Sequence, residues 1–295
     1  MRTCARLLIS FFLLTGCKQH AAAADTAQPG NADTVPLADT DKAKPGAGIP
    51  VDLSELSDSE KAAFTRLVQR FPSACGKAHS LEVSVKTDPS CRRSVYAARY
   101  IARLLKADLL ESEVEDHYDV RFNTPKIQID VASAPVRGDP SAPIALVEFS
   151  DFQCPHCKHM QPVLDRVLEE YRGKVKLYFK QYPIGRAHPD APLAAAAALA
   201  AGKQGKFWQF HDRLFADQDH ENLAALEKIA SDLKLDKKRW TADIETEKEH
   251  VARDHADGEK LEVSATPTLY IAGRKFSGPS TFEEVKDWID EELNK

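Results

Sequence analysis

An α/β fold in which a helical insert interrupts one domain, preceded by a small helical module, is predicted by three observations. Short apolar runs at Ile144 to Phe149, Val175 to Phe179 and Thr268 to Ile271 have strand length and strand composition. Between the second and third of them, Ala191 to about Gly258 repeats at helical spacing almost without a break. Residues 51–124 carry their own amphipathic helical pattern ahead of the first run. Strand, helix, strand, helical insert, hairpin and helix is an α/β order.

The bulk numbers suit a globular chain. Of 295 residues, 43% are hydrophobic and 29% charged, which allows one large or two modest cores. After the first twenty positions there is no second long apolar run, so no membrane-spanning helix is implied for the mature chain. A net charge of -5 without a basic patch argues against a nucleic-acid partner, because neutralising phosphates needs surplus cations.

The first residues read as a targeting segment. Arg2 and Arg6 precede the apolar stretch Leu7 to Leu14, the charged-then-apolar layout of a signal peptide. Leu14-Thr15-Gly16-Cys17 resembles a bacterial lipobox, which implies a signal peptide over residues 1–17 and lipidation of Cys17. Lys18 stands where an Asp would retain such a protein at the inner membrane, so the resemblance favours the outer one. Residues 18–50 are rich in Ala, Asp, Thr, Pro and Gly and read as a flexible tether. The expected location is the periplasmic side of the envelope, held to the membrane by a lipid anchor only.

From Leu53 the pattern changes. Ser57-Asp58-Ser59-Glu60 offers caps for a helix carrying Phe64, Leu67, Val68 and Phe71 on one face and ending near Pro72. Cys75 and Cys91 bracket a mixed segment. A helix through Val95, Tyr96, Tyr100, Ile101, Leu104 and Leu105 follows, with a third near Glu111 to Tyr118. The Cys75–Cys91 pair is read as a disulfide closing this module over fifteen intervening residues, worth about 3 kcal/mol on the loop-entropy model; a second redox pair is the competing reading.

The α/β domain is expected over residues 125–295, with its insert at about 190–258. Lys126 to Val131 alternates like a strand, and Arg137-Gly138-Asp139-Pro140 reads as a turn. Ile144 to Phe149 reads as a strand buried on both faces, Met160 to Tyr171 as an amphipathic helix and Val175 to Phe179 as a second core strand. Phe207, Phe210, Leu214 and Phe215 mark one face within the insert. Thr268 to Ile271, the turn Ala272-Gly273-Arg274 and Lys275-Phe276 form a hairpin ahead of a last helix from Thr281 to Leu293.

Cys154-Pro155-His156-Cys157 lies between the first core strand and the helix that follows. That position puts the first sulfur at a helix N-terminus, where unpaired N–H groups and the positive end of the helix dipole favour thiolate over thiol. Pro155 suits a first helical turn, having no N–H to leave unpaired. His156 offers a further positive charge beside the sulfur, which would make the disulfide more oxidising. The predicted cycle passes through a mixed disulfide on Cys154, with Cys157 resolving it.

Val147-Glu148-Phe149-Ser150-Asp151-Phe152-Gln153-Cys154-Pro155-His156-Cys157 resembles the active-site segment of the DsbA-like branch of the thioredoxin superfamily. Ala265-Thr266-Pro267-Thr268-Leu269-Tyr270-Ile271 resembles that family's cis-proline loop. The resemblance covers about Pro125 to Leu293 and leaves residues 51–124 outside it. It implies a thioredoxin fold and a redox-active Cys154–Cys157 disulfide needing no cofactor. It also implies Pro267 packed against that disulfide, Thr266 presenting its backbone to an extended substrate peptide, and Glu148 as a buried acid serving proton transfer to Cys157. A strand-end carboxylate paired with a lysine is the plain alternative for Glu148. His188 and His211 are assigned no role.

The implied partners are unfolded or exported proteins with cysteines and a membrane or periplasmic redox partner. Three function classes stay open on the residues alone: a disulfide-forming oxidase, a reductase or isomerase, and a non-catalytic peptide-binding or copper-chaperone module. A zinc knuckle would need two further ligands beside Cys154 and Cys157, such as Cys75 and Cys91 or His159; no metal site is assigned.

Overall fold

The computed structural model describes residues 51–218 and 221–294. The expected signal peptide, Cys17 and the tether over 18–50 lie outside the described residues. Five strands form one sheet in the order β1-β3-β2-β4-β5: β1 (Val136–Gly138), β2 (Ile144–Ser150), β3 (Val175–Gln181), β4 (Thr268–Ile271) and β5 (Arg274–Lys275). Strands β2 and β3 are parallel, with Leu146 opposite Leu177 and Glu148 opposite Phe179. β1 pairs antiparallel with β3, and β4 antiparallel with both β2 and β5. This is the α/β sheet that the apolar runs predict, and the fold is that of thioredoxin with a helical insert and a preceding helical module.

Alternation along β2 divides the core. Ile144 and Leu146 face α5 (Pro155–Glu170) and α10 (Phe282–Leu293), joining Leu164, Val167, Val285 and Ile289 in one buried cluster. Val147 and Phe149 point to the other face, against Tyr182, Val263 and Tyr270. There the C-terminal part of α9 (Lys237–Lys260) crosses the sheet at Gly258, where an added Cβ would lie 2.5 Å from the Tyr182 ring. The insert comprises α6 (Ala191–Gly202), α7 (Phe207–Ala216), α8 (Leu223–Asp232) and α9. Its alanine-rich α6 is buried nearly all round, because small side chains let α9 and α7 approach closely. Among the described residues no helix is long and apolar enough to cross a membrane.

Two local readings need correction. Residues 126–131 form no strand: Ile127, Ile129 and Val131 do pack against the Val147 face, which accounts for their alternation. The segment meets the β4–β5 turn through the Ile127 N–H to Gly273 O bond of 2.8 Å and pairs with no strand. The short edge strand instead begins at Val136, where a turn alone was expected. In addition, the mixed segment between the two module cysteines contains α2 (Leu81–Thr87), capped by Ser80 and too short for its periodicity to register.

The module consists of α1 (Asp58–Arg70), α2, α3 (Arg93–Lys106) and α4 (Glu111–Tyr118), the last continued by a π-helical turn over Asp119–Asn123. Ser57 and Glu60 close α1 with a reciprocal capping box. Phe64, Leu67, Tyr100, Ile101, Val114 and Tyr118 form the module's own core, and Cys75 is disulfide-bonded to Cys91.

The module meets α10 through buried charge. Arg121 is 0% exposed, and its guanidinium reaches Glu284 at 3.2 Å, Asp287 at 2.9 Å and Glu291 at 3.0 Å. Arg103 shares Glu284 and Asp287, while Arg93 binds Glu291 at 2.7 Å. The rings of Tyr100 and Trp288 cover the Arg121 guanidinium from 4.6 and 4.5 Å. Those carboxylates are stable in the interior only because the arginines answer them.

Arg121→Ala is therefore expected to lower unfolding free energy by about 3–5 kcal/mol in a urea titration, since it strands buried carboxylates; a loss below about 1 kcal/mol would contradict this account. Gly258→Ala forces α9 off Tyr182 and should cost about 1–3 kcal/mol in the same assay, whereas an unchanged midpoint would show that the helix shifts freely.

Candidate active site

β2 ends at Ser150, the chain turns through Asp151-Phe152-Gln153, and α5 starts at Pro155. Cys154 is the N-cap, in extended geometry at φ -78° and ψ 120°, with Pro155 in the first turn. Helical rotation from this cap carries Cys157 inward, so Cys154 lies just under the surface at 3% exposure and Cys157 at 0%. Both are free thiols. The Thr266–Pro267 peptide bond is cis, and the carbonyl of Thr266 accepts a hydrogen bond from Cys154 Sγ at 3.4 Å. The two distant sequence motifs thus meet across 112 residues.

The two thiols are held in opposite states. A hydrogen bond from the Cys157 thiol, with smaller help from Thr266 and from the backbone N–H groups of Cys157 and His156, outweighs burial and lowers Cys154 to about 5. The Thr266 hydroxyl is buried without another partner and is free to serve a thiolate. Burial pushes Cys157 upward, reinforced by its bond to Cys154 and by the Glu148 charge. Its sulfur accepts the Asp151 N–H at 3.4 Å. The His156 side chain is exposed, and its contribution comes through the backbone N–H, where the sequence pointed to the ring.

Glu148 is 0% exposed. Among the described residues it has no lysine partner; the Ser150 hydroxyl donates to it at 3.0 Å and the Gln161 amide at 3.2 Å. Burial, only partly offset by these two bonds, raises its carboxyl to about 7. The same Gln161 amide donates to Cys157 O at 3.2 Å, which ties the acid to the first turn of α5.

Several supporting residues carry no local sequence signal. Asp151 Oδ1 accepts the Gln153 N–H at 2.8 Å, while its Oδ2 accepts the Ile184 N–H at 2.7 Å and lies 2.8 Å from His188 Nδ1. The Gln153 side chain takes the Asp190 and Ala191 N–H groups at the start of α6. From beyond α7, Gln218 donates to the carbonyls of Phe152 and Cys154 at 2.6 and 2.9 Å. His211 is buried against the rings of Phe152, Phe179 and Trp208, and burial lowers its pKa. His159 is exposed and joins no cluster, and Cys75 and Cys91, bound to each other, are not ligands for a metal at Cys154. Among the described residues no three His, Cys, Asp or Glu side chains gather as a metal site.

The Thioredoxin_4 family model, described as Thioredoxin, matches residues 131–291. Among curated proteins, the Na(+)/H(+) antiporter NhaA 3 of Salinispora tropica is 35% identical over 161 residues, which cover 54% of this chain and 24% of that protein. The chain thus spans about a quarter of the length of the antiporter relatives it matches. "Probable disulfide bond formation protein D" of Bacillus cereus is 37% identical over 176 residues, covering 54% of this chain and 78% of that protein. Among solved structures, a thioredoxin-like oxidoreductase from Silicibacter pomeroyi DSS-3 aligns with TM-score 0.51 and 28% identity over 60% of this chain and 98% of its own. Oxidised BdbD from Bacillus subtilis aligns with TM-score 0.52 and 27% identity over 58% and 98%. The family match spans the part of the chain that builds the sheet and the Cys154–Cys157 turn, and the protein belongs to the thioredoxin family, in its DsbA-like branch.

Proposed function

We propose that the protein is a thiol-disulfide oxidoreductase of the cell envelope that forms or exchanges disulfides in exported proteins through Cys154 and Cys157. The observation that carries this reading is the split between the two thiols: one lowered to about 5 at a helix N-terminus, the other buried and pushed up. A thiolate stabilised in the reduced protein makes the corresponding disulfide a stronger oxidant.

In the oxidising direction, a substrate thiolate attacks Cys154 Sγ, the Cys154–Cys157 bond breaks and Cys157 leaves with the electron pair. Glu148, whose carboxyl is neutral over part of the physiological range, supplies the proton that Cys157 takes up. A second substrate thiolate then attacks the substrate sulfur of the mixed disulfide. Cys154 departs as the stabilised thiolate, and the substrate keeps the new disulfide. Thr266, beside the cis bond, offers backbone groups with which an extended peptide can pair. The relative called a disulfide bond formation protein supports the same reading. The reductase or isomerase reading uses the same atoms in the reverse direction.

The domain plan follows the sequence: a helical module over 51–124 and the thioredoxin domain over 125–295, with residues 1–50 supplying the signal, lipidated Cys17 and tether. The partners are cysteine-bearing exported proteins and a membrane or periplasmic protein that restores the disulfide.

Alkylation of Cys154 by iodoacetamide, followed by mass across pH, should titrate with a midpoint near 5 while Cys157 stays unmodified; a midpoint near the ordinary thiol value of 9.0 would remove the basis for the assignment. Cys154→Ser should abolish oxidative refolding of a reduced test protein. For Glu148 the sign is that of a buried acid with a raised pKa. Folding favours its proton, so it lowers stability as pH rises from the ordinary 4.5 to about 7, by about 3 kcal/mol at most. Glu148→Gln should flatten this fall in reduced protein and slow release of Cys157. An unchanged pH profile of both stability and turnover would exclude the proton-transfer role.

A further inference from the structure

On the module side, a groove of about 1160 Å³ opens between the helical module and the β4–β5 hairpin. Among the described residues five cations line it, Lys77, Arg92, Arg93, Lys126 and Arg274, and no acidic side chain does. In a chain with a net charge of -5 this concentration needs a reason. Three carboxylates outside the lining answer four of the cations: Asp88 binds Lys77, Glu291 binds Arg93, and Glu292 binds both Lys126 and Arg274. Glu291 is drawn on by Arg121 as well. Arg92 is exposed and forms no salt bridge among the described residues. Arg274 has a buried Nε without a partner, and burial together with the nearby Arg93 charge disfavours its ionised state. The groove therefore holds a surplus of positive charge and a guanidinium edge short of an acceptor.

Cys75 lines this groove and is exposed, whereas its partner Cys91 is 2% exposed. Attack from the groove can reach only Cys75. Cys91 would then be the leaving sulfur, just ahead of the N-terminus of α3, with the Ser94 hydroxyl 2.9 Å from it. A helix N-terminus and a hydroxyl donor both favour a departing thiolate. Arg274 pairs with Ile271, at the end of β4 remote from Thr268 and the cis bond. The groove is thus no extension of the Cys154 site.

We propose that this groove binds a small thiol bearing two carboxylates, and that the bound thiol exchanges with the Cys75–Cys91 disulfide. Its thiolate attacks Cys75 Sγ, the Cys75–Cys91 bond breaks, a mixed disulfide forms on Cys75, and Cys91 leaves as thiolate and takes a proton from water. The thiolate of a second molecule of the same thiol attacks the first molecule's sulfur in that mixed disulfide, the bond from that sulfur to Cys75 breaks, and Cys75 leaves as thiolate and takes a proton from water; the dimeric disulfide of the small thiol is released and Cys75 and Cys91 are left reduced. The disulfide that staples the module is then also a sensor of the surrounding thiol pool.

The test uses the full chain carrying Cys154→Ser and Cys157→Ser, so that a result at Cys75 is independent of the envelope-oxidoreductase reading. Glutathione, with two carboxylates, is compared with its diethyl ester, in which both are masked. Rates are corrected for thiolate fraction, and the adduct is located by peptide mass. Glutathione should modify Cys75 roughly tenfold faster than the ester. That preference should vanish in about 1 M salt, where the screening length falls to about 3 Å, and in Arg92→Glu. Equal corrected rates, a preference indifferent to both salt and Arg92→Glu, an adduct on Cys91, or no adduct with either thiol would each overturn the proposal.

Discussion

The proposed thiol chemistry depends on one electrostatic constraint: negative charge on Cys154 must be stabilised while the sulfur beneath it is kept from ionising. The N-terminus of α5 accomplishes the first through its free N–H groups and the Cys157 thiol. Complete burial accomplishes the second. Because the two sulfurs sit on one helical turn, any displacement of that turn relative to the sheet changes both. The surroundings are organised against such displacement: Gln218 and Gln161 hold carbonyls of the cysteines themselves, and Asp151 anchors the loop to Ile184 and His188.

Glu148 shows how the same constraint shapes the floor of the site. A carboxylate under a buried thiol would oppose its ionisation, and a fully paired one could not release or accept a proton near neutral pH. With two neutral donors and no cation, it sits between these limits. Its pairing with Phe179 across β2 and β3 places it toward the aromatic cluster that includes Phe152, so the region beside the thiols is largely apolar.

A second charge system stands apart from the first. The helical module is held to α10 by arginines that enter the interior and meet acids there, with aromatic rings over the guanidinium of Arg121. Such contacts are weak evidence of net stabilisation but strong determinants of register, because a slipped arrangement would leave several charges unpaired. The same arginine-rich face, continued past α10, makes the cationic groove beside Cys75. Docking and groove are thus two consequences of one distribution of charge.

The strands at Ile144, Val175 and Thr268, the capping box at Ser57 and the helix opened by Cys154-Pro155 were legible because each follows from local periodicity or from a backbone requirement at one position. Residues 126–131 were misread for a related reason: alternation reports which side chains are buried, not whether the backbone pairs with a strand. His188, Gln161, Gln218 and the acids of α10 were silent because the partners that fix them lie 13 to 198 residues away. By itself, then, the sequence determined the three core strands, most of the helices and the place of Cys154 at the head of its helix, since these depend on neighbouring residues. Only the tertiary structure decided how strongly each thiol is ionised, what Glu148 pairs with, and that five cations gather beside Cys75, since burial and distant charge depend on which surfaces are brought together.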